Sequence, residues 1–327
     1  MSLISEARSV SDWVTSRPRA AAATSLLRLT IGLVSIFYYS RHYADRGLFF
    51  GPDGVYGTGM VRAQLGSSGS FSIYALTPSP LFFQVAFHLG LVIAVAVTLG
   101  IGGRPILALH YVFLWSLYMT NSSFMDGGDA LVAAAIPFLL LTRCYTNFTL
   151  NGLRVTRSGH ARPAGALISA LNNTGVLLIA AQLSIVYLMA GLYKVQGRLW
   201  QDGTALYYIL RVPEFFWPGI TPLVFSQGWL LVIGAYGTVL VSIFFPVLVW
   251  FRAGRPVAVL SMVGFHIAIG LLMGLTSFAL IMIAADTVFV SQHVDGLRLR
   301  VRSYARRTSQ TFVRLSELIV RGGRVVP

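Results

Sequence analysis

Charge is scarce in this chain. Charged residues make up 11% of it, where a soluble domain carries about 25%, which excludes a water-facing surface over most of its length. Cysteine is nearly absent: Cys144 stands alone, so no internal disulfide forms, and it reads as an apolar filler. Lysine is equally rare, with Lys194 the single lysine among 25 basic residues. No glycine-rich phosphate loop, GxSxG or HExxH occurs, which leaves nucleotide-driven pumping and the common hydrolase chemistries without a motif. His88, His110 and His266 fall on different predicted helices with no HxxxH pair, so no metal site is expected. The net charge of +14 does not imply nucleic acid, because the arginines lie in turns and a tail beside apolar helices. Anionic lipid head groups are the expected partner.

What is present is a series of apolar runs near membrane-spanning length, which makes the fold all-α, a polytopic helical membrane bundle. The runs are 20–39, 81–101, 106–119, 130–142, 175–193 and 228–251, followed by 257–290, which is too long for one ordinary span. Gly274 and Thr276-Ser277 offer a break there. Loop charge favours that break: with eight spans and a cytoplasmic N-terminus, inside segments hold 18 basic residues and outside segments 6. Seven spans would put the eight-arginine tail outside. The expectation is a cell-membrane protein of eight passes, or seven plus a re-entrant hairpin, with both termini cytoplasmic. Residues 1–19 read as an amphipathic lead-in, 20–291 as the transmembrane domain and 292–327 as a basic tail. Leu297, Val301, Tyr304, Thr308, Phe312, Leu315 and Ile319 give that tail the spacing of an amphipathic helix lying on an anionic leaflet.

The ionisable groups at membrane depth are Arg28, His88, His110, His266 and Asp286. They are expected to form a buried polar network in which Asp286 pairs with Arg28 or a histidine, because intramembrane charges seek partners. A second group gathers on the non-cytoplasmic side. It comprises Asn121, Ser122, Asp126 and Asp129 before the short fourth helix, and Lys194, Arg198, Trp200 and Asp202 after the fifth. Two readings of Lys194 stay open: a base tuned by burial, or an anchor snorkelling to the interface beside Trp200. Asp126 and Asp129 also read as helix caps, Asp129 being the expected N-cap. The topology predicts that Lys194 lies close to Asn121, Asp126 or Asp129, since an unpaired ammonium at that depth is costly. A mixed-charge outer mouth of this kind suits an extended peptide or a polar head group.

Four stretches carry a family resemblance: GIGGRPILALHYVF, FMDGGDALVAAAIPFLLL, QLSIVYLMAGLYKVQGRLWQDGTALYYIL and GFHIAIGLLMGLTSFALIMIAA. Together they resemble the HTTM superfamily, which includes the membrane part of vitamin K-dependent gamma-carboxylase. The pattern is most similar to the bacterial sporulation-delaying protein B family. The resemblance implies a role in maturation or export of a secreted antimicrobial peptide toxin. Its partners would be the toxin precursor and a small maturation protein, and no cofactor would be needed. Through the carboxylases it also implies an alternative, a membrane enzyme using an isoprenoid quinone with Lys194 as base. Asn121, Ser122 and Ser123 stand where the carboxylases carry a histidine, and the large soluble domain that follows in those enzymes has no counterpart. Whether the chain is an enzyme stays open at this point.

Overall fold

Local signals cut the apolar sequence into helices where the turn residues stand. Ser79 caps a helix by accepting from the Phe82 amide, and Pro80 opens its first turn. Gly100 and Gly102, both left-handed, separate that helix from the next. Gly274, at φ +70°, breaks the 257–290 run into two helices at the expected place.

The structure, a computed structural model, describes residues 11–150, 165–294 and 296. Eight apolar helices result: α1 Ala21–Arg41, α2 Pro80–Leu99, α3 Gly103–Thr120, α4 Gly127–Leu141, α5 Ala166–Gln196, α6 Gly228–Leu248, α7 Gly254–Leu272 and α8 Thr276–Asp286. Among the described residues there is no strand. Five of the eight (α1, α2, α5, α6 and α7) are long and apolar enough to cross a membrane by length and composition. Helices α4 and α8, of 15 and 11 residues, reach only roughly 22 and 16 Å, short of a hydrocarbon core of ~30 Å. The molecule is a helical membrane bundle.

The helices pack as two consecutive rings of four. Each of α1 to α4 touches the next and α4 returns to α1; α5 to α8 do the same, with α8 returning to α5. The rings meet where α8 packs on α1 and α4, and where α4 packs on α5. The short α8 therefore sits at the centre of the bundle, with Ile281, Met282, Ala284 and Ala285 buried. Close approach is local too: a Cβ on Gly32 of α1 would lie 2.8 Å from the backbone nitrogen of Thr98, at the end of α2.

Contacts between helix ends define two faces. On the first face, the segment before α1 meets the start of α5, since Asn173 Nδ2 donates to the carbonyls of Val14 and Arg17 at 2.8 and 2.9 Å. The α2 end, the α4 end and the α6–α7 turn lie on this side. On the second face, Asn121 after α3 donates to the Phe49 carbonyl at 3.1 Å, and Phe278 of α8 packs on Gly127 and Gly128 of α4.

Some element boundaries differ from the sequence expectation. The fifth helix begins at Ala166 rather than near 175, because Asn172 and Asn173 spend their amides on the N-terminal segment while remaining helical. The 40–80 loop contains two short helices, Arg46–Phe50 and Thr58–Ser68. The expected tail helix from Leu297 lies outside the described residues.

Candidate functional site

At the second face the α3–α4 connection folds into a tightly bonded knot. Asp126, not Asp129, is the N-cap of α4: its Oδ1 accepts from the Gly128 and Asp129 amides at 2.7 and 3.0 Å. Asp129 closes the capping box by accepting from the Asp126 amide at 3.1 Å, and its other oxygen accepts from the Tyr118 hydroxyl at 2.7 Å. Asn121 accepts from the Ser123 amide while donating to Phe49. These residues spend most of their hydrogen-bonding capacity on the fold. Among the described residues, the second oxygen of Asp126 and the hydroxyl of Ser122 have no hydrogen-bond partner, and both residues are exposed.

Beside this knot stand residues that the sequence reading missed. His42, directly after α1, is buried among aromatic rings, 4.7 Å from Phe124, 4.9 Å from Tyr38 and 5.5 Å from Phe50 between centroids. Among the described residues His42 makes ring contacts and no side-chain hydrogen bond, and the Tyr38 hydroxyl is buried without a partner. Tyr38 also packs edge-on against Tyr118, 5.2 Å between centroids. Burial first, then the charge of Arg41, lowers the His42 imidazole below its ordinary range. The assembly offers an uncharged imidazole and a phenol with unused polar atoms next to a carboxylate pair. Such groups can bind a peptide backbone or relay a proton. The available signal was slight: a histidine at a span end followed by an aromatic loop.

Lys194, Arg198, Trp200 and Asp202 form a separate cluster. Lys194, half-buried near the end of α5, donates to the Ala190 carbonyl of its own helix at 3.3 Å and lies 5.4 Å from the centre of the Trp200 ring. Among the described residues it makes no hydrogen bond or ion pair with residues 120–129, so a direct bond to Asn121, Asp126 or Asp129 is not formed. Phe278 covers Gly127 and Gly128 and packs tilted against His266, 5.6 Å between ring centroids. Arg198 and Asp202 form an exposed i,i+4 pair at 3.8 Å, worth at most about 1 kcal/mol.

The intramembrane groups do not form one network. Arg28 is fully buried and, among the described residues, meets no acid. Instead its guanidinium donates to the carbonyls of Val97 and Thr98 at the end of α2, and to Cys144, Asn147 and Phe148 just past α4. Its face lies over Tyr145, at 5.0 Å. A helix C-terminus carries unpaired carbonyls and partial negative charge, so the α2 end, joined by carbonyls of the loop that follows α4, solvates the cation without a carboxylate. Asp286 is bonded by the Tyr187 hydroxyl at 2.9 and 3.0 Å, not by Arg28 or a histidine. His110 bonds Ser35 at 3.1 Å, and His266 bonds its own helix at the Met262 carbonyl. His88 is only half-buried, on Tyr43 at 3.0 Å.

An apolar cavity of about 450 Å³ lies between α6 and α7, lined by Leu210, Leu231, Val241, Phe265 and Leu272 among others. It fits a hydrocarbon tail. Lys194 is not among its lining residues, so the geometry does not join a quinone in this cavity to a lysine base.

Three comparisons bear on these residues. The model of the HTTM domain matches residues 69–293. The chain is 28% identical over 218 residues to sporulation-delaying protein SdpB of Bacillus subtilis (strain 168), covering 64% of each chain. It is 28% identical over 198 residues to uncharacterized protein YitO of the same organism, covering 58% of this chain and 62% of that one. The chain thus spans a little under two thirds of the length of these curated relatives. No solved structure matches it. With the family model covering seven of the eight apolar helices and the Asp126–Asp129 knot, though not Tyr38 or His42, the chain belongs to the HTTM domain family.

Proposed function

We propose that this chain is a multi-pass cell-membrane protein of the sporulation-delaying protein B type, acting in maturation or export of a secreted antimicrobial peptide toxin. In this reading both termini are cytoplasmic and the second face opens outward. The precursor peptide is held there while a small partner protein assists its processing. One observation carries the reading to this site: next to the knot at Asp126 and Asp129, the His42 and Tyr38 side chains keep polar groups that the fold does not use. Similarity to SdpB supports the type of protein. The quinone-linked alternative with Lys194 as base has weaker support, since Lys194 stands apart from the apolar cavity and is engaged with Trp200.

The test is genetic. Deleting the gene in its native host should leave the peptide unprocessed or inactive. The wild-type gene should restore it, Lys194→Met should restore it as well, and His42→Ala should not, at equal membrane abundance. Normal active peptide from the deletion strain would end the proposal. Failure of Lys194→Met alone would shift weight to the lysine reading.

A further inference from the structure

On the first face a cavity of about 460 Å³ opens between the segment before α1, the start of α5, the α6–α7 turn and the end of α8. Its rim carries three arginines, Arg17, Arg19 and Arg255. No acid lines it. Among the described residues the single carboxylate ion pair is the distant Arg198–Asp202.

Two of these guanidiniums are held in place through one nitrogen while the others stay available. Arg19 donates from Nε to the Trp13 carbonyl at 3.3 Å, with its plane 4.7 Å from the Trp13 ring centre. Arg255 donates from Nε to the Val249 carbonyl at 2.9 Å. No hydrogen bond engages the terminal nitrogens of either side chain among the described residues. The supporting backbone is itself pinned. Asn172 and Asn173, both fully buried, bond the Arg19 carbonyl and amide at 2.9 and 2.8 Å, and Asn173 also holds Arg17. Burial first, then the like charge of Arg17, lowers the Arg19 guanidinium from its usual range, as expected of cations crowded without a counter-ion.

The inner wall is different in kind. Val176 and Ala180 of α5 and Phe289 beyond α8 make it apolar. A basic rim over an apolar wall at a membrane face matches an ester-linked phosphate with hydrocarbon attached. The chain beyond the cavity does not match it: residues 297–327 hold eight arginines against one acid, Glu317. We propose that this cavity is a binding site for one anionic phospholipid, its phosphate on Arg17, Arg19 and Arg255 and an acyl chain along Val176, Ala180 and Phe289. The site lies on the opposite face from the proposed peptide site and does not depend on it.

The test uses the full chain in phosphatidylcholine nanodiscs doped with phosphatidylglycerol, with retained lipid read by native mass spectrometry. One phosphatidylglycerol per chain is expected. The triple change Arg17→Gln, Arg19→Gln and Arg255→Gln should weaken retention about a hundredfold, from about 1 kcal/mol per arginine near the surface. Ala180→Phe, which fills the wall without altering charge, should displace the lipid too, and the triple arginine-to-lysine chain should keep most of it. Thermal melting in detergent identifies any variant that fails to fold. Unchanged retention in both folded variants overturns the proposal. So does inorganic phosphate alone binding as tightly as the lipid, since the hydrocarbon would then contribute nothing.

Discussion

Arg28 shows how a buried charge is satisfied where no side chain of opposite sign is available. Its carbonyl partners belong to the end of α2 and to the loop after α4, and no sequence pattern marks a backbone oxygen as a ligand. That is why a search for acids pointed to Asp286, whose real partner is Tyr187. Lysine has no planar fork to reach the α2 end and the loop after α4 at once. Arg28→Lys is therefore expected to destabilise the bundle by about 2 kcal/mol or more, the worth of charge-assisted hydrogen bonds lost, read as a lowered melting temperature in detergent. His42 makes a second prediction. Its imidazole is held neutral by burial and by Arg41, so the unfolded chain takes up a proton before the folded one. Stability is then intact above the unfolded value of about 6.5 and falls as the pH drops below it. A His42→Phe chain should lose that part of the pH dependence in melts taken across this range.

Helices were the most legible part of the sequence because their signals are local. Apolar runs and the break at Gly274 place seven of the eight helices to within a few residues. Where the reading slipped, tertiary contacts decided. The nine extra residues at the start of α5 are helical with their asparagines turned onto the N-terminal segment, and the N-cap of α4 moved to Asp126 because Asp129 is drawn to Tyr118. The same division explains the site. Asn121, Asp126 and Asp129 were found together since they adjoin in sequence, whereas His42 and Tyr38 join them only through packing across helices. One prediction belongs at this scale. A methyl group on Gly32 would strike the Thr98 backbone, which has no freedom to swing aside. Gly32→Ala should push α1 from α2 and cost about 1–3 kcal/mol, measured as loss of thermal stability without loss of helix content.

At the scale of the molecule, the two rings of four divide the labour between the faces. The first ring carries Tyr38, His42 and Asp126, the groups of the proposed peptide site, and the seam between the ring ends carries the basic cavity. The carbonyl cradle around Arg28 sets a timetable for biosynthesis. When α1 leaves the ribosome, the oxygens that will receive its arginine do not yet exist, the last of them belonging to Phe148. Until then the first helix enters lipid with an exposed cation, at a penalty of up to about 3 kcal/mol. A chain stopped after α1 should insert poorly, one stopped beyond residue 148 should insert fully, and Arg28→Leu should remove the difference, all readable by glycosylation mapping. The opening helix is completed by a carbonyl more than a hundred positions later, so the first four helices are expected to settle into the membrane together and not one at a time.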